Sequence, residues 1–134
     1  MTILLSLLAR KARMLGLRNA IDDGGGSALF YSGAPPGLPD GAAGATLLGS
    51  VAFSSPSGVI GQSDTLATLT LTTPKTGSAV ASGLIGWVRL VNGAGDGIMD
   101  LPAGLDGSGA PVIVNALQIY AGGEITLVSC VIAQ

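Results

Sequence analysis

Arg89 and Asp100 carry the one spacing in this chain that predicts a definite side-chain geometry. Arg89 sits in the run Gly86-Trp87-Val88-Arg89-Leu90-Val91, and Asn92-Gly93-Ala94-Gly95-Asp96-Gly97 follows as a hairpin turn. A turn over 93–96 places Arg89 opposite Asp100 and Val91 opposite Ile98. A cross-strand ion pair is therefore expected beside the Trp87 ring, on the face that also carries Ile85 and Val91. Such a trio serves as a structural clamp, the simpler expectation, or as a guanidinium-and-indole site for a sugar or phosphate. Asp96, Asp100 and Asp106 form the only acidic cluster of this region. Calcium takes about six to eight oxygens, and this spacing matches no EF-hand loop, so turn capping is expected and no metal.

The remaining chemistry-bearing residues argue against catalysis. The chain has no histidine, which removes the usual general base, triad centre and metal ligand. No serine stands beside a plausible base, and Gly107-Ser108-Gly109 reads as a turn. Gly93-x-Gly95 lacks the continuation and the following helix of a phosphate cradle. Cys130, the only cysteine, lies in an apolar terminal strand and is expected as a buried, inert thiol. No enzyme activity and no cofactor are expected.

Composition asks for a different kind of role. In 134 residues only 10% are charged, 48% are hydrophobic, and mean hydropathy is +0.62. So sparse an ionic surface suits a protein whose exterior is covered by other protein, as a homo-oligomer or part of an assembly. Residues 1–23 hold four basic and two acidic groups, a net +2; residues 24–134 hold two and six, a net −4. The basic patch is small and the body would repel nucleic acid, so no direct nucleic-acid partner is expected. The aromatics are also too sparse for a base-stacking platform. The apolar opening, Ile3 to Ala9, precedes its positive charges and is too short to span a bilayer, so neither a signal peptide nor a membrane span is expected.

Residues 2–21 are rich in Leu, Ala, Arg, Lys and Met without proline, which predicts a helix. At about 100° per residue Leu4, Leu5, Leu8, Ala12 and Leu15 share one arc, with Arg10, Lys11, Arg13 and Arg18 outside it. Leu7, Met14 and Leu17 fall elsewhere, so the helix is apolar on more than one side, as contact with protein on more than one side requires. Residues 1–23 thus read as a basic amphipathic arm and residues 24–134 as a β-sandwich body, joined by a flexible hinge at Asp22–Ser27. An alternative is that the helix folds back to cover a sheet.

Strands are expected at 28–32, 46–53, 65–72, 79–91, 98–101, 112–114, 117–120 and 124–133, with loops elsewhere. In 65–72, Ala67, Leu69 and Leu71 share one face and Thr68, Thr70 and Thr72 the other, a half-buried strand with a polar outer ladder. Prolines 35, 36 and 39 fix an extended surface loop. Tyr31 beside it is read as core, or else as a half-exposed interface anchor together with Pro35 and Pro36. Short strands without intervening helices predict an all-β, jelly-roll-like β-sandwich preceded by an N-terminal α-helical arm.

Three stretches carry a family resemblance. Leu29-Phe30-Tyr31-Ser32-Gly33 with Pro36, Asp40 and Thr46-Leu47-Leu48 is similar to the opening of small structural proteins of tailed-bacteriophage virions. Gly86-Trp87-Val88-Arg89 running into its turn and Asp100, and Val112-Ile113-Val114-Asn115 with Ile119, Gly122, Gly123 and a final strand, are similar too. The chain departs from the pattern at Leu101 and Pro111. The resemblance implies a capsid cement or decoration protein with a jelly-roll-like body on the outer surface of a phage head, partnered by the major capsid protein, and no catalytic residues. On that expectation Leu4, Leu5, Leu8, Leu15, Arg10, Lys11, Arg13 and Arg18 form a capsid-binding arm bridging neighbouring shell subunits. The alternative expectation is a tail, baseplate or fibre module that binds a host-surface glycan.

Overall fold

Ser6 starts the first element by accepting a hydrogen bond from the Ala9 amide at 3.1 Å, which caps an α-helix, α1, over Leu7–Asp22. The computed structural model describes residues 5–38, 41, 43–63 and 66–133, so Leu4 and Asp40 lie outside the described residues. The helix begins later than the composition of residues 2–21 implies, because Ser6 is a capping residue inside the apolar run.

Eleven strands follow among the described residues: β1 (Ser27–Tyr31), β2 (Leu47–Ala52), β3 (Gly58–Ser63), β4 (Leu66–Leu71), β5 (Lys75–Ala79), β6 (Gly83–Leu84), β7 (Trp87–Val91), β8 (Gly97–Gly104), β9 (Val112–Val114), β10 (Gln118–Ile119) and β11 (Glu124–Ala133). The fold is mostly β with one N-terminal helix. Strand β11 organises it by pairing in turn with β5, β9 and β4 along its length. The order β11-β5-β2-β1-β7-β8-β9, closed by the β9–β11 pairing, gives a barrel-like sheet, and β4 and β3 extend from the far end of β11 as a wing. Its inner side chains, among them Phe30, Val51, Val88, Leu90, Val112 and Leu127, make the core.

Two expected elements differ. The long strand at 79–91 is broken into the end of β5, then β6 and β7, because Val80 and Ala81 donate to Leu48 O and Ile85 to Leu117 O. Gly86 separates β6 from β7, its backbone pressed on Gly33 with no room for a Cβ. Strand β3 occupies what reads as a Ser/Pro/Gly loop; Val59 and Ile60 supply its β-branched centre. The threonine ladder holds for Thr70 and Thr72, which are exposed, but Thr68 is buried opposite Gly61 and Ala133.

The helix is not a detached arm. Leu7, Met14, Leu17 and Ile21 lie on one stripe of α1, Met14 and Ile21 are fully buried, and the stripe packs into the same core as the wing strands. Nor is 22–27 a loose hinge. The Asp22 carboxylate accepts from the Ser57 amide at 3.1 and 3.2 Å, and Gly93 donates to Asp23 O at 2.8 Å. Gly24 and Gly93 pack backbone to backbone, so a Cβ on Gly93 would collide with the Gly24 carbonyl.

This packing yields a stability contrast. Met14→Ala and Ile21→Ala are each expected to cost about 2–5 kcal/mol, as buried cavities do, while Leu8→Ala changes stability by no more than about 0.5 kcal/mol. Urea unfolding measures all three; equal, negligible effects at Met14 and Ile21 would mean that the helix contributes nothing to the core.

Candidate functional site

Two side-chain assemblies stand out, one buried and one exposed. The buried one lies on the outer face of β7. Alternation sends Val88 and Leu90 into the barrel and Trp87, Arg89 and Val91 to the other side, yet all five residues of β7 are buried. Arg89 faces Asp100 across the β7–β8 ladder, as the spacing predicts, in a two-pronged ion pair of 2.8 Å (Nε to Oδ1) and 3.1 Å (Nη2 to Oδ2). Val91 meets Gly97 instead of Ile98, because a bulge at Ile98 takes up one residue and leaves the turn one residue shorter. Asn92 Oδ1 accepts from the amides of Ala94 and Asp96 within it.

The guanidinium does more than pair. It donates to Gly41 O at 2.6 Å and Leu38 O at 3.2 Å, and lies 5.4 Å from the centre of the Trp87 ring. Tyr31 stacks on the Trp87 ring, centroids 4.6 Å apart at 17°, and the indole donates to Ser32 O at 3.1 Å. Arg89 thus pins the loop between β1 and β2 over the sheet. Its donors face acceptors of its own chain, so the trio is a clamp. Tyr31 belongs to this stack and is 8% exposed, which corrects its reading as a half-exposed anchor; Pro35 and Pro36 are exposed on the loop.

The acidic cluster does not converge. Asp100 is bound to Arg89, Asp96 lies in the turn beside Asn92, and Asp106 is exposed in the loop after β8. Among the described residues no group of three His, Cys, Asp or Glu is placed to hold a metal ion, and no helix is long and apolar enough to cross a membrane. Cys130 is buried in β11, and burial without any compensating charge pushes its thiol from 9.0 up to about 12.

The exposed assembly is on α1. Leu5, Leu8 and Leu15 are exposed, Leu8 by 79%, and turn away from the face that docks on the wing. The helix therefore has two apolar stripes with the same period: Leu7, Met14, Leu17 and Ile21 inward, and Leu8, Ala12 and Leu15 outward, with exposed Leu5 just ahead of the Ser6 cap. Leu8, Lys11, Ala12 and Leu15 line a groove of about 370 Å³ whose other wall is Ile60 of β3. The basic residues divide. Arg13 is exposed, Lys11 borders the groove, and Arg10 and Arg18 turn toward the body with buried Nε atoms that have no hydrogen-bond partner among the described residues. Arg18 Nη1 reaches Gly58 O at 3.4 Å. An outward patch of all four cations, as the arm reading implies, does not form.

No family model matches the chain, and neither a curated protein nor a solved structure is similar to it.

Two outcomes follow for the buried groups. Asp100→Ala is expected to destabilise the protein by about 3–5 kcal/mol, since it strands a buried guanidinium; thermal or urea unfolding reads this, and a loss under about 1 kcal/mol would mean that the clamp is idle. Cys130 is expected to ignore thiol reagents at pH 8 in the folded state. Because its folded value lies above the unfolded one, the stability linked to it is complete below pH 9 and falls as pH rises toward 12. Rapid labelling at pH 8 without unfolding would contradict the burial.

Proposed function

We propose that this chain is a structural protein of a tailed-phage virion, a cement or decoration protein on the outer surface of the head with the major capsid protein as its partner. The finer description of the barrel-like body as jelly-roll-like belongs to the same proposal. The observation that carries the reading is the second leucine stripe on α1: a helix already docked through one apolar face presents another to the outside. Exposed Val59, Val80, Leu84 and Tyr120, each more than 60% exposed, add apolar surface elsewhere and support extensive contact with other protein, including further copies of this chain. The resemblance of residues 28–134 to virion proteins points the same way. Catalysis, a cofactor and direct binding of nucleic acid have no part in it.

The mechanism is mechanical. A shell under internal pressure separates its subunits, and a rigid body seated across two of them must detach before they part. Since α1 is integral to the body, helix and sheet act as one rigid clamp, and rigidity lowers the ordering cost of docking. A flexible arm would depend on linker length; this arrangement does not. A glycan-binding tail module is less well supported: among the described residues Tyr120 is the one exposed aromatic, so no stacking platform of several rings is presented.

Deleting residues 1–23 is a poor test, because the deletion removes core residues Met14 and Ile21. The informative variant is Leu8→Asp with Leu15→Asp. Particles lacking this protein are mixed with the purified chain and sedimented. The parent is expected to saturate at hundreds of copies per head, and the double variant to bind at least about tenfold more weakly with an unchanged melt. A handful of copies confined to tails, or equal binding of the variant, would overturn the reading.

A further inference from the structure

The wing ends in an unprotected edge. Among the described residues β3 pairs with β4 alone. Thr72 donates to Ser57 O at 2.8 Å, which sets the phase of that ladder. Alternation then turns the amides and carbonyls of Gly58, Ile60 and Gln62 away from β4. Arg18 takes the Gly58 carbonyl, and no bond among the described residues reaches the outward groups of Ile60 and Gln62. The strand has no charge, no proline and no lysine, the devices that usually block an edge.

The groove runs beside this edge. A strand added next to β3 would send alternate side chains onto the face of Ile60, into the space lined by Leu8, Ala12 and Leu15. Lys11 borders that space and Arg18 stands at the start of β3; neither has a carboxylate partner among the described residues. A second copy of this chain would bring the same cations to the same seam and set like charges against each other. An acidic partner complements them.

We propose that the edge of β3 and the groove beside α1 accept an extended apolar segment of another protein as an added strand, with a carboxylate seated against Lys11 or Arg18. This deepens the docking reading by naming the chemistry of the docked segment. The groove itself is tested without particles, so a failed peptide experiment beside intact head binding removes only the strand addition.

The probe is a synthetic seven-residue peptide of alternating valine and threonine with a glutamate at each end, compared with one ending in lysines. Titrated into the labelled full chain and followed by NMR, the glutamate peptide is expected to shift the Ile60 and Gln62 amides and the Leu8 and Leu15 methyls. It should bind at least about tenfold more tightly than the lysine peptide, with Lys11→Glu narrowing that gap. Gln62→Pro deletes an outward amide that β4 does not use, so it should melt like the parent and bind at least about tenfold more weakly. Shifts elsewhere, no shift at millimolar peptide, or equal affinity for the two peptides would overturn the proposal. So would a concentration-dependent dimer whose Ile60 and Gln62 amides are already protected, which would make the occupant a second copy.

Discussion

A helix with two apolar faces can give only one of them to the body, and the burial of Leu7, Met14, Leu17 and Ile21 decides which. Once that stripe is seated on the wing, Leu5, Leu8 and Leu15 have no position except outside. The outward leucines are thus a consequence of how the core is completed. They persist because the helix is tied at its end: Asp22 holds the Ser57 amide, and Gly93 holds Asp23. With those ties the helix does not roll to hide its second face.

Strand β11 is the other organising element. By pairing with β5, β9 and β4 in succession it closes the barrel and also suspends the wing on which α1 rests. The Arg89 clamp works on the opposite side of the design. It covers the outer face of β7 with a loop, so apolar surface there is hidden, whereas the surface at β3 and α1 stays open. The molecule buries one outer face with its own chain and leaves another uncovered.

What the sequence makes legible follows the range of the interactions. The Arg89–Asp100 pairing is set by a turn a few residues long, and the bounds of β11 are marked by Gly123 and a sustained β-branched run; both are local. The bulge that puts Gly97 opposite Val91 depends on how Asn92 folds over its own turn, which spacing alone does not encode. On α1 the outward stripe and the buried stripe share a period, so periodicity ranks them equally and cannot assign either to the core. Only the position of the wing, formed by strands more than thirty residues away, chooses Met14 and Ile21. Strand β3 escapes notice for the same reason: its identity comes from pairing with β4, and its two glycines and one serine read as loop.

The account stands on the division of α1 into a face that is core and a face that meets another protein. Hydroxyl-radical footprinting of the free chain and of the chain bound to phage heads measures both faces together. Met14 and Ile21 are expected to stay unmodified in both states, with Leu8 and Leu15 modified when free and protected when bound. Leucines labelled equally in the two states, or a readily oxidised Met14 in the folded free chain, would contradict it.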